Sequence, residues 1–231
     1  MDEPLLVLSG ATTGLPHNGY EPKLLEAAAV LVLPKGTGRL MVAGPTNGWW
    51  SSLIWQAPSD LATPAAQAAY KVHEISNAAT RAAQSEAEVA ASFAAWLRQV
   101  QGLLAPGNMQ VKSWCVWNKS FWMPHFDKVP WTGHPSAPLW PLDVGPCAME
   151  WASEALLALG DNSRKKAGGA RSVGLKKAFS AFQARAPAMN WGSAGSTTRA
   201  LPQAHRAAQV LVCANQVAIP TQPTTIDYAY V

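Results

Sequence analysis

The stretch Leu6-Val7-Leu8-Ser9-Gly10-Ala11-Thr12-Thr13-Gly14-Leu15 runs from an apolar segment into a turn. Leu5 to Leu8 is too short for a helix and ends at Ser9-Gly10, with Gly14 and Pro16 close behind. Such a run, bounded by turn residues, reads as a buried strand. Leu24 to Leu33 is a second strand candidate, although its alanines have weak β propensity. Arg39 to Ala43 and Ser51 to Trp55 are shorter candidates, separated by Gly36, Gly38, Pro45 and Gly48 as in hairpin-like connections. The pair Trp49-Trp50 on that hairpin is expected to be exposed.

Helices follow. Pro64 to Tyr70 has Thr63 as N-cap and Pro64 at the first helical position. Ser85 to Leu104 carries a capping-box pair, Ser85 and Glu88. Its Val89, Phe93, Trp96, Leu97, Val100 and Leu104 recur at helical spacing. Met109 to Val116 alternates loosely, as a strand does. Residues 128 to 146 are rich in Pro and Gly and read as a loop. Cys147 to Leu159, ended by Gly160, and Lys176 to Arg185, ended by Pro187, are helices. Met189 to Thr198 reads as loop, Pro202 to Val217 as the final helix, and residues 218–231 as an extended tail with Pro220 and Pro223. The order of elements implies one α/β domain over residues 1–217 with a mixed β-sheet flanked by α-helices.

The chain has 231 residues, of which 14% are charged and 48% hydrophobic, enough apolar content for a core. The acids and bases are unevenly placed. Residues 1–161 hold 13 acids and 9 bases; residues 162–231 hold 9 bases and the single acid Asp227. Arg164, Lys165, Lys166, Arg171, Lys176, Lys177 and Arg185 are the densest part. Such asymmetry suits a surface facing a polyanion, and equally a solvated helical face. Cys115, Cys147 and Cys213 lack metal-ligand spacing and read as buried free thiols in a reducing compartment. The acidic start Met1-Asp2-Glu3 is unlike a signal peptide, and no apolar run approaches the roughly 20 residues of a membrane span. The expectation is an intracellular protein without a membrane partner.

Three segments together carry a family resemblance. The opening stretch is similar to the first motif of the DnaQ-like (DEDDh) 3′–5′ exonucleases, a strand followed by Asp-x-Glu-Thr-Thr-Gly-Leu. Asn118-Lys119-Ser120-Phe121-Trp122 resembles that family's Asn-x-x-Phe-Asp. His205-Arg206-Ala207-Ala208-Gln209-Val210 resembles its His-Arg-Ala-x-x-Asp helix. Weaker likenesses lie at Glu26 of the second strand, at His73-Glu74-Ile75-Ser76 and at Leu142-Asp143-Val144. The resemblance spans roughly residues 4–217 and implies an RNase H-like fold. It also implies phosphodiester hydrolysis by two divalent metals held on four carboxylates, with a histidine as general base.

All four carboxylate positions differ here. Ser9 and Ala11 stand in the first motif, Trp122 in the second and Val210 in the third, while His205 stands at the base position. Hard cations need oxygen donors, and Ala, Val and Trp side chains have none. The two metals are therefore not expected to bind, and His205 is left either as a retained base without a metal or as a packing residue. Asp127 lies more than a helical turn beyond Trp122 and does not replace it. An indole at Trp122 fills a former metal pocket, or stacks on a base. Trp114, Trp117, Trp122, Trp131 and Trp140 form either a stacking surface or part of the core.

The implied function is a catalytically inactive module that binds single-stranded DNA or RNA. Thr12, Asn118, Lys119, Arg164, Lys165, Lys166, Arg171, Lys176, Lys177 and Arg206 are its expected contacts. A structural or scaffolding subunit of a protein or ribonucleoprotein assembly is the alternative, suited to 11 Trp and low charge. An active exonuclease with relocated metal ligands is the third reading.

Overall fold

The structure is a computed structural model that describes residues 3–16, 19–36, 39–126, 131, 143–145, 147–161, 173–186, 199–217 and 228–229. The described strands are β1 (Leu5–Thr12), β2 (Leu24–Pro34), β3 (Leu40–Ala43), β4 (Trp49–Leu53), β5 (Ser113–Val116), β6 (Asp143–Val144) and β7 (Tyr228–Ala229). The described helices are α1 (Pro45–Gly48), α2 (Pro58–Leu61), α3 (Pro64–His73), α4 (Asn77–Arg81), α5 (Glu86–Leu104), α6 (Lys119–Phe126), α7 (Ala148–Ala158), α8 (Leu175–Arg185) and α9 (Ala200–Val217). None of the described helices is long and apolar enough to cross a membrane.

The sheet is mixed, in the order β6-β5-β1-β2-β3-β7, with β4 also paired to β2. β1 runs antiparallel to β2 and parallel to β5. β2 is long enough to take two partners end to end on one edge. Glu26 to Val30 pair with β4, and Val32 to Pro34 pair with β3.

The period of two divides the core. Leu5 and Val7 of β1 pack with Ala28, Val30 and Val32 of β2 against α7, α8 and α9. Leu6 and Leu8 pack with Ala27, Ala29 and Leu31 against α5 and α6. Both faces are therefore covered, which is why these strands read as unbroken apolar runs. Alanine, unfavourable for a strand, is suited to this layer. Ala28 of β2 and Ala204, Ala207 and Ala208 of α9 are all buried, and small side chains let helix and sheet approach closely.

Caps and termini agree with their sequence signals. Thr63 Oγ1 accepts the Ala66 N–H at 3.1 Å. Both arms of the Ser85–Glu88 box are closed, at 2.8 and 3.3 Å. Gly160 follows α7 with φ +82, the left-handed geometry that favours glycine. The final helix starts at Ala200, two residues before the expected Pro202. The loop expected at 128–146 and that at 189–198 lie mostly or wholly outside the described residues. In the tail, Tyr228–Ala229 returns to the sheet and pairs with Val42 and Ala43 in parallel.

Trp49 and Trp50 are half-buried rather than exposed. Trp49 Nε1 donates to the Ala43 carbonyl at 2.7 Å, and Trp50 lies 5.0 Å from Phe93, ring centre to ring centre. Adjacent residues of a strand point to opposite faces, so each indole meets a different helix layer. Trp114, Trp117, Trp122 and Trp131 are likewise buried, which assigns them to the core; Trp140 lies outside the described residues.

Candidate functional site

The end of β1 opens into a cleft of about 550 Å³ between α3 and α6. Gly10, Ala11 and Thr12 form its floor. Ala65, Ala68, Ala69 and Val72 of α3 form one wall, and Phe121 with Trp122 the other. Thr12 donates its hydroxyl to the Gly14 carbonyl at 2.7 Å, which shapes the turn. Strand pairing sets Ala11 opposite Glu26 and Ser9 opposite Ala28; Ala28 packs in the layer that α9 covers, and Ala11 packs with Leu25, Leu61 and Ile75. Ser9 is buried, and does not line the cleft.

Trp122 closes the inner end. Its indole meets Phe121 edge-on at 4.7 Å and lies 6.0 Å from Phe126, and only 8% of the residue is exposed. It rests against Gly10, where a Cβ would fall 2.8 Å from the indole and 2.7 Å from Leu24 Cδ1. A glycine at position 10 is what lets an indole occupy position 122. Asn118 begins this helix with φ +61, and its carbonyl accepts the N–H groups of Phe121 and Trp122. Asparagine tolerates that backbone geometry better than most residues.

Behind the cleft lies the strongest polar contact of the site. Glu26 is buried and takes Arg199 bidentately, at 2.9 and 2.8 Å. The same carboxylate accepts the Ala200 N–H at 2.8 Å, at the start of α9. A carboxylate there satisfies an otherwise unpaired donor and favours the positive end of the helix. This fixes where the helix begins, so its first turn reaches the cleft through Gln203.

That placement corrects the third motif. Val210 is fully buried in the core against the sheet and does not line the cleft. His205 also lies elsewhere, half-buried with its ring 4.7 Å from that of Trp49. Gln203 is the residue that sequence reasoning missed, although a signal existed. Arg199-Ala200 precedes Gln203 with the same spacing by which Arg206-Ala207 precedes Val210, seven residues later. Seven residues advance a helix by about 10 Å. Only one copy can therefore meet the cleft, and it is the earlier one.

Burial and the neighbouring Arg206 push His205 down to a pKa of about 4. The folded pKa lies below the unfolded 6.5, so its contribution to stability is complete above pH 6.5 and is lost as pH falls toward 4. Between pH 7 and pH 5 this should cost about 1–2 kcal/mol. Urea unfolding at the two pH values should show the loss, and His205→Phe should remove most of it.

The expected contact residues scatter. Thr12 lines the cleft. Lys119 is half-buried and donates through Nζ to the Gly145 carbonyl at 3.3 Å. Asn118 Oδ1 accepts from the Ser120 hydroxyl at 3.0 Å. Arg206 is 7% exposed with its guanidinium 5.3 Å above Phe179, which removes it from any basic surface. Burial lowers its pKa, a cost that the aromatic ring partly offsets. Lys176 and Lys177 are exposed on α8. Arg164, Lys165, Lys166 and Arg171 lie outside the described residues, as does Asp127.

Among the described residues no carboxylate lines the cleft; the polar residues along it are Thr12, His73 and Gln203. A hydroxyl, an imidazole and an amide are neutral donors and do not fit a pair of hard divalent cations. Among the described residues no group of three His, Cys, Asp or Glu side chains could hold a metal.

Strand order, a sheet covered on both faces and a cleft at the end of β1 define a mixed-sheet α/β protein with the fold of the RNase H-like, DnaQ-like 3′–5′ exonucleases. Cell-death related nuclease 4 superposes with a TM-score of 0.54 at 11% identity, over 97% of this chain and 67% of that one. Exonuclease I of E. coli, in complex with a dT13 oligonucleotide, gives 0.53 at 15% identity over 94% of this chain. This chain spans 41% of that exonuclease. At these identities the likeness is one of fold. No protein-family model and no curated protein matches the sequence.

Proposed function

We propose that this protein is a non-cleaving member of the exonuclease fold that binds single-stranded nucleic acid. The observation that carries the reading is the lining of the cleft. Ala11, Trp122 and Gln203 occupy the positions where the family motifs carry acids, and the described residues offer no anionic donor set in their place. Removing carboxylates also removes repulsion between the cleft and phosphates. Support for a nucleic-acid partner comes from Exonuclease I, whose fold is shared and which was solved with an oligonucleotide. Lys176 and Lys177, exposed on α8, support a cationic contact for phosphates.

Binding through such lysines releases counterions and weakens with salt. A gel-shift with single-stranded DNA and RNA should show complex at about 50 mM salt and lose roughly tenfold or more in affinity by 200 mM. Lys176→Ala with Lys177→Ala should weaken binding and flatten the salt slope. Absence of a complex at low salt, or a complex indifferent to salt, would sink the reading.

A further inference from the structure

Phe121 also lines a second pocket, of about 470 Å³, formed between the β1–β2 connection and α6. The pocket has no other residue in common with the cleft. Phe121 and His125 are four residues apart on α6 and so share one face of that helix. Their ring centres lie 5.6 Å apart with the planes inclined at 55°. Tyr20 adds a third ring from the connection, and its hydroxyl is held 3.1 Å from the Thr13 carbonyl, which ties the phenol to the end of β1. Pro16, Pro22 and Pro124 complete the walls. Proline fixes φ, so much of the lining is set before any ligand arrives.

The charge along this pocket is one-sided. Glu21 is exposed and is its one carboxylate among the described residues, and no lysine or arginine among them lines it. Aromatic rings attract a cation through their π faces, and the acid adds a counter-charge. A primary ammonium brings three N–H donors and would find a single carboxylate here. A quaternary ammonium has no donor to satisfy, and its methyl groups suit ring and proline walls. An anion would instead face Glu21. The volume is that of a small-molecule site.

We propose that this pocket binds a small quaternary ammonium compound, with the trimethylammonium group among Tyr20, Phe121 and His125 and its charge balanced by Glu21. The pocket shares no residue with α8, so this proposal and the nucleic-acid reading can fail independently of one another.

Two probes of equal shape isolate the charge: choline, and its uncharged carbon isostere with a tert-butyl group in place of trimethylammonium. Ligand-detected NMR titration of the full chain should show saturable choline binding, about fivefold or more tighter than the isostere. Glu21→Lys, at an exposed position that leaves the walls intact, should weaken choline about fivefold and leave the isostere unchanged. Phe121→Leu keeps apolar volume but removes a ring, and should cost choline more than the isostere. Absence of saturable choline binding, equal affinity for the isostere, or choline binding unchanged in Glu21→Lys would overturn the proposal.

Discussion

Arg199→Ala is expected to lower the unfolding free energy by about 3–4 kcal/mol, and Glu26→Ala by about 2–3 kcal/mol. The asymmetry follows from exposure. The Glu26 side chain is 6% exposed and the Arg199 side chain 38%. Without Arg199, a buried carboxylate keeps only the Ala200 N–H and cannot reach water. Without Glu26, the guanidinium can turn outward and recover hydration, so the cost falls below that of breaking a fully buried pair. Lost with Glu26 is also the cap on α9, worth about 1 kcal/mol. Because the residues share one contact, the double variant should cost less than the sum of the singles. Urea denaturation of the three variants measures this cycle. Equal costs for the two single variants would mean that burial of the carboxylate is not what sets the energy.

The second large effect is on catalysis. With a 3′-labelled single-stranded oligonucleotide and Mg²⁺ or Mn²⁺, release of nucleotide should not rise above background. That is roughly 10⁶-fold or more below what an active hydrolase of this chemistry attains. Two-metal hydrolysis needs anionic oxygens to hold both cations and to set the attacking water. Thr12, His73 and Gln203, the polar residues along the cleft among those described, carry no anionic oxygen. His205 sits against Trp49, so His205→Ala should leave the result unchanged. Metal-dependent trimming that disappears in Gln203→Ala would establish an active site in the cleft and reverse the functional reading.

Much of the fold was legible because local and tertiary signals agree. The box at Ser85 and the cap at Thr63 each act within a few residues and appear where the sequence places them, while the strand at Leu5 runs on through Ser9-Gly10 to Thr12 instead of ending there. What was not legible depends on distant partners. The start of α9 is set by Glu26, 173 residues from Arg199, and nothing near Ala200 announces it. With Arg-Ala present once at the start of that helix and again within it, spacing alone could not choose between Gln203 and Val210. The placement of Trp49 and Trp50 was missed for a similar reason, since their covering helices lie far along the chain. Sequence likewise does not show that His73 lends only Nδ1 to its turn, with no partner for Nε2 among the described residues.

The contact between Trp122 and Gly10 bears on what mutation could make of this cleft. Aspartate at position 122 would withdraw a buried indole and leave a void beside Gly10, Leu24 and Phe126. Truncating a buried tryptophan costs about 3–5 kcal/mol, a sizeable part of the net stability of most domains. A single acid gained in this way would not by itself restore a carboxylate set for a pair of metals, because Ala11 and Gln203 remain neutral. Each early step toward an acidic cleft thus lowers stability before it confers any chemistry. The tryptophan acts as a ratchet: it makes the uncharged cleft a local optimum that gradual change does not readily leave.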